Sequence, residues 1–307
     1  TVATLPDPMR LTFISLVFIL MIQLNLTQRI VLRYYKTKIK LLSRFSPQKA
    51  AEYTLQLFFT PYIKNNKMER PAIFHKGEPL SFPFNGNTIN GFRWRSQHMN
   101  APTILVCHGM NSCSYRFEKY IHLLLQHNVN VYAFDAQAHG KSTGKILNAV
   151  IYSEIIEQVE VRYGPLNGII AHSIAGMATS FAMERLQKPP IKLVLIAPAT
   201  ETVTAVDNFF RIFNLDEGFR SIFDRTVQEL RGLPVSWYSA TRAVKNIANP
   251  VLWIHDEDDI ICPYADTTEI RNLQLPNVRF ITTKGLGHNK IYRDKEVQKT
   301  IIDFVTS

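Results

Sequence analysis

The sequence is poor in the features that small or unstructured proteins depend on. Its 307 residues hold only three cysteines, Cys107, Cys113 and Cys262. That is too few for a disulfide scaffold, and none has the C-x-x-C or His-paired spacing of structural zinc, so no metal is expected. Glycine (13) and proline (16) are scarce enough to exclude collagen-like and low-complexity chains. Charged residues make up 20% against 46% hydrophobic, which excludes disorder and leaves ample material for a buried core. A basic footprint is also missing from most of the chain. Residues 1–76 hold 12 Lys/Arg against 3 Asp/Glu, whereas the remainder holds 23 against 22. The net charge of +10 is therefore an N-terminal property, and nucleic acid is not an expected partner.

Near the N-terminus lies an uncharged run, Leu11 to Gln28, bounded by Arg10 and Arg29. Its apolar part, Leu11–Met21, sits at the lower edge of what spans a bilayer, and Gln23, Asn25, Thr27 and Gln28 weaken its far end. Arg29, Arg33, Lys36, Lys38, Lys40, Arg44 and Lys49 follow it, a density that suits an anionic membrane surface. The expectation is an N-terminal hydrophobic helix serving as membrane anchor over residues 1–40. The positive-inside rule then puts the C-terminal body in the cytoplasm. A cleaved signal peptide, and a helix docked on the protein or lying in the membrane surface, are the alternatives.

The body reads as alternating strands and helices. Leu80–Phe84 and Thr88–Trp94 alternate apolar and polar residues around Asn85-Gly86-Asn87, the signature of a hairpin. Short apolar runs follow at Thr103–Cys107, Val129–Phe134, Gly168–Ala171, Lys192–Ala197, Val251–His255 and Val278–Thr282, with helical patterns such as Arg116–Gln126 and Ile174–Leu186 between them. This order predicts an α/β fold with a mostly parallel sheet covered by helices on both faces. The stretch from Pro198 to Asn249 is too long for a crossover loop, so a helical cap is expected at about 199–249 within a domain covering 41–307.

Ligands of such sheets bind beyond the carboxyl ends of the strands. Four polar stretches fall there. Gly168–Ala171 runs into His172-Ser173-Ile174-Ala175-Gly176 and a helix. Val251–His255 leads into Asp256-Glu257-Asp258-Asp259, and Val278–Thr282 into Lys284-Gly285-Leu286-Gly287-His288. Thr103–Cys107 ends in His108-Gly109-Met110. A serine hydroxyl needs a base, and the base needs an orienting carboxylate, so Ser173, an acid of the 256–259 turn and His288 form a candidate constellation. The bland reading of the acids is a solvated turn.

Together with Phe134-Asp135-Ala136-Gln137-Ala138-His139-Gly140-Lys141-Ser142, these motifs resemble the α/β-hydrolase superfamily over roughly residues 42–307, in its order Ser, Asp, His. Within it, the chain looks like a group of largely uncharacterised bacterial hydrolases. The resemblance implies Ser173 as nucleophile, Asp259 as acid with Asp258 as fallback, His288 as base, and the backbone N–H groups of Met110 and Ile174 as oxyanion donors. It implies no cofactor. His108 and the 135–142 loop are expected to be architectural, with Ser142 a weak rival nucleophile and Cys113 a packing residue. The sequence departs from G-x-S-x-G, with Ala171 and Ala175 at the flanking positions and Gly176 one place late. The resemblance implies a serine hydrolase and carries no substrate; an apolar carboxylic ester is expected because the cap carries Phe209, Phe210, Phe213, Phe219, Phe223 and Trp237, which could equally be the cap's own core. A peptidase or amidase with the same three residues, or a noncatalytic membrane-tethered binding protein, remains open, as does the oligomeric state.

Overall fold

The computed structural model describes residues 26–62, 68–186 and 191–307. In chain order its main elements are helices α1 (Leu26–Phe45), α2 (Pro47–Phe58) and α3 (Ala72–His75), then the hairpin β1 (Glu78–Phe84) and β2 (Asn87–Trp94). β3 (Thr103–Cys107), α4 (Glu118–Gln126), β4 (Asn130–Phe134), α5 (Ala149–Tyr163), β5 (Gly168–His172), α6 (Ile174–Leu186) and β6 (Lys192–Ile196) follow. After α7 (Thr202–Phe213), α8 (Glu217–Arg231) and α9 (Ala240–Val244) come β7 (Val251–Asp256), α10 (Thr268–Leu273), β8 (Val278–Thr283), α11 (Gly287–Lys290) and α12 (Lys295–Thr306).

The eight strands form one sheet in the order β1-β2-β4-β3-β5-β6-β7-β8. β1 pairs antiparallel with β2 and β2 with β4, and every later pairing is parallel. Because side chains alternate along a strand, each central strand feeds two cores. Leu105, Ile169, Leu193, Leu195 and Trp253 join the cluster that includes Tyr152, Phe181 and Val244 of α5, α6 and α9. Ile104, Val106, Ile170, Val194 and Ile254 join the opposite one, with Tyr120, Leu124 and Ile301 of α4 and α12. Both faces of the central strands β3 to β7 are thus dry, and these strands read as continuous apolar runs for that reason.

The chain divides into two compact units. The sheet and its covering helices belong to residues 59–202 and 236–307, and the other unit joins the N-terminal helices to residues 203–235. In this second unit, Phe210 packs against Phe219 and Phe223 at 5.9 and 5.3 Å between ring centroids, and Phe58 meets Phe209 at 5.4 Å. Asp216 caps α8 by accepting from the Phe219 N–H at 2.9 Å, and Gly232, at φ +77°, ends it. Four of the aromatic side chains counted as cap features, Phe209, Phe210, Phe219 and Phe223, are therefore occupied with the unit's own helices. Lys38 lies 4.3 Å over the Tyr53 ring, tying α1 to α2.

The apolar run Leu11–Met21, and the anchor helix expected there, lie outside the described residues. Among the described residues no helix is long and apolar enough to cross a membrane. α1 takes up the basic stretch that follows: Ile39 is buried, while Leu26, Ile30, Tyr34, Leu41 and Phe45 are exposed.

Candidate active site

The strand β5 ends in a bend that forces Ser173 to φ +59°, in the left-handed region that a residue with a Cβ seldom occupies. The bend is held by backbone bonds: Ser173 N–H donates to the Ile196 carbonyl at 3.0 Å, and Ala199 N–H donates back to the Ser173 carbonyl at 3.0 Å. Gly176 explains the displaced glycine. A Cβ there would lie 2.6 Å from Pro198 Cβ, so α6 approaches the end of β6 at this position, whereas alanine fits, fully buried, at 171 and 175. The neighbouring loop is equally tight, since a Cβ on Gly109 would fall 3.0 Å from both Ser173 Cβ and His172 Nδ1.

Three distant side chains meet at this bend. His288 Nε2 lies 3.0 Å from Ser173 Oγ, and its Nδ1 lies 2.7 Å from Asp259 Oδ2. All three residues are buried. Asp259 is fixed by the N–H groups of Ile261 and Cys262, both 2.9 Å from its Oδ1, leaving Oδ2 for the imidazole. Burial works against a charged ring at His288, but the Cys262 sulfur and the Asp259 carboxylate outweigh it and raise the ring's pKa.

Asp258, the fallback acid, turns to the Gly285 N–H instead, at 3.0 Å. Asp256 accepts from Gly287 and Leu286 N–H groups. Glu257 is exposed and pairs with Lys284 at 3.2 Å. The four consecutive acids therefore serve four different partners.

Met110 follows Gly109 in the loop against the serine, and Ile174 opens α6, where a helix's first N–H groups have no intrahelical acceptor. Two imidazoles hold that loop. His108 Nε2 accepts from the Ala136 N–H at 2.9 Å, and His139 Nε2 accepts from the Asn111 N–H at 3.0 Å. Burial lowers the pKa of each to about 4, so both are neutral acceptors. Ser142 Oγ donates to the Asp135 carbonyl at 2.6 Å and accepts from the Asn90 N–H, which makes it a strap between strands and removes it as a rival nucleophile. Cys113 is buried with its sulfur 3.8 Å from Met68 Sδ. No cluster of metal-binding side chains occurs among the described residues.

Two contributors escaped the sequence reading. His172 donates Nε2–H to the His288 carbonyl at 3.0 Å, and its ring lies 4.7 Å from the His288 ring. His255 donates Nε2–H to the Cys262 carbonyl at 2.7 Å and sits 3.6 Å from Asp259 Oδ2. Burial lowers the pKa of both, keeping them uncharged beside the acid and base. A histidine directly before the serine, and another four residues before the acid, were the available signals.

Known proteins share this fold. A family model described as serine aminopeptidase, S33, matches residues 99–232. An esterase of Pyrococcus furiosus superposes at TM-score 0.61 with 17% identity, over 80% of this chain and 98% of its own. The chain has the α/β-hydrolase fold. A monoacylglycerol lipase of Paleococcus ferrophilus matches the chain at TM-score 0.53 and 21% identity, over 70% of this chain and 98% of its own. A thioesterase domain from the curacin biosynthetic pathway matches at 0.54 and 16%, over 75% and 99%. No curated protein matches the chain.

Proposed function

We propose that this α/β hydrolase cleaves carboxylic esters by acyl transfer through Ser173. The observation that carries the reading is the unbroken path from Asp259 Oδ2 through both nitrogens of His288 to Ser173 Oγ, at 2.7 and 3.0 Å. Ser173 Oγ attacks the ester carbonyl carbon while His288 Nε2 takes its proton, and Asp259 stabilises the imidazolium that results. The negative oxygen of the tetrahedral intermediate accepts from the Met110 and Ile174 N–H groups. Collapse expels the alcohol, which takes the proton from Nε2. Water then repeats the sequence on the acyl-enzyme, releasing the acid and restoring Ser173. Each oxyanion donor contributes about 2.7–4 kcal/mol in enzymes of this kind. No step calls for a cofactor.

Esters are favoured because an esterase and a monoacylglycerol lipase share the fold. The description of the matching family model as a serine aminopeptidase favours a second reading, in which the leaving group is an amine. A fluorophosphonate probe should label the intact protein and not Ser173→Ala; absence of label in the intact chain defeats both readings. Matched nitrophenyl esters and aminoacyl nitroanilides separate them.

The reading extends to location. The N-terminal segment holds the enzyme against an anionic membrane, with the catalytic unit in the cytoplasm. Support comes from α1, where Leu26, Ile30, Tyr34, Leu41 and Phe45 are exposed together with Arg33, Lys40 and Arg44. Co-sedimentation with phosphatidylglycerol vesicles but not with phosphatidylcholine vesicles is expected, and lost when the three cations become glutamates. Equal recovery with both lipids would sink it.

A further inference from the structure

The loop that carries His288 is attached to the acid turn by two carboxylates. Asp256 ends β7 with no solvent exposure. Its Oδ1 accepts from the Gly287 N–H at 2.8 Å and the Asp258 N–H at 3.0 Å. Its Oδ2 accepts from the Thr283 hydroxyl at 2.7 Å and the Leu286 N–H at 3.1 Å. These four donors fill the roughly four acceptor positions of an ionised carboxylate. Asp258 Oδ2 adds the Gly285 N–H at 3.0 Å, so three successive amides, 285 to 287, are held by two acids. Left-handed φ values of +83° at Gly285 and +57° at Gly287 bring those amides into convergence, the backbone arrangement that suits an anion. Burial alone would raise the Asp256 pKa, but the Thr283 hydroxyl and the loop amides lower it, keeping the acceptor charged.

We propose that Asp256, assisted by Asp258, is the positioning residue that sets the catalytic imidazole. The inference rests on the reading of Ser173, Asp259 and His288 given above. Asp256 and Asp259 leave the same turn three residues apart. One grips the backbone immediately before His288, the other grips the ring at 2.7 Å. The turn therefore fixes both where the histidine's backbone stands and where its ring points. An amide in place of the carboxylate keeps the volume but supplies one acceptor oxygen, so its NH₂ must face at least one backbone N–H that cannot turn away.

The test compares the full-length protein with Asp256→Asn, Asp258→Asn and, as a control on the same turn, Glu257→Gln. For each, fluorophosphonate labelling gives the fraction of sites that react and the rate constant per reacting site. Proton NMR follows the His288 Nδ1 proton, assigned by its loss in His288→Ala. Asp256→Asn is expected to label to the wild-type extent at least ten-fold more slowly and to shift the Nδ1 resonance, Asp258→Asn to slow labelling about three-fold, and Glu257→Gln to match wild type. A wild-type rate per site with an unmoved resonance in Asp256→Asn overturns the proposal, as does a loss confined to the reacting fraction. Should Asp256→Asn not fold, Asp258→Asn decides alone, and a wild-type rate there counts against positioning. If the wild-type protein takes no label, it is the hydrolase reading that fails. The resonance then decides the positioning role, supported by a shift and overturned by none.

Discussion

The serine side and the histidine side of this site are built by opposite means. Ser173 is held sterically, in a left-handed bend with Gly109 and Gly176 closing the space around it. His288 is held electrostatically, with carboxylates accepting its loop amides and one ring nitrogen. Close packing tolerates no added atom but is indifferent to charge, whereas a carboxylate clamp tolerates changes of volume nearby and fails when an acceptor is lost. The two halves should therefore respond to different substitutions.

The largest expected effect falls on the histidine side. Asp259→Asn should cut the labelling rate by about four orders of magnitude with little change in fold, because an amide holds the wrong tautomer. Thermal unfolding alongside labelling checks both halves of that statement. On the serine side the order reverses. Gly176→Val drives a side chain into Pro198, 2.6 Å from the first added carbon, and should cost about 1–3 kcal/mol of stability, read from denaturant midpoints. If Gly176→Val were stable and slow while Asp259→Asn were unstable and fast, the contrast would be broken.

Proton equilibria sharpen it further. His288 must be neutral to act as base, and its pKa is raised, so the ascending limb of the pH–rate profile should lie above the 6.5 or so of a free imidazole. A raised histidine pKa stabilises the fold below the unfolded value and loses that contribution as pH climbs through the folded one, so rate should rise as this part of stability falls. His108 and His139 act with the opposite sign. Their pKa values near 4 mean that stability is lost as pH falls below about 6.5, with the loss complete below about 4. Denaturant midpoints across that range measure it, and removal of the slope by His139→Gln would assign its share. The smallest effect is expected from Glu257→Gln, whose exposed pair with Lys284 is worth less than about 1 kcal/mol.

The central strands were legible because burial on both faces leaves uninterrupted apolar runs, and β3 through β7 lie where those runs fall. Ser173 was legible because it follows such a run, and His288 because two glycines precede it after the last strand. The division of labour among Asp256, Glu257, Asp258 and Asp259 was not, since four adjacent acids offer no periodicity and their partners lie about thirty residues away. The displaced glycine was visible as a departure, but its cause, Pro198, belongs to another loop. Phe210, Phe219 and Phe223 were visible as aromatics, while their mutual packing depends on helix faces that a list of residues does not reveal.

His172 leaves the base little freedom. Its Nε2–H holds the main-chain oxygen of His288 while Asp259 holds the far side of the ring. A group pinned at both ends cannot swing aside to discharge its cargo elsewhere. In the proposed reaction the hydrogen lifted from Ser173 has one exit, the same nitrogen, so departing alcohol and incoming water would each come to that single point in turn.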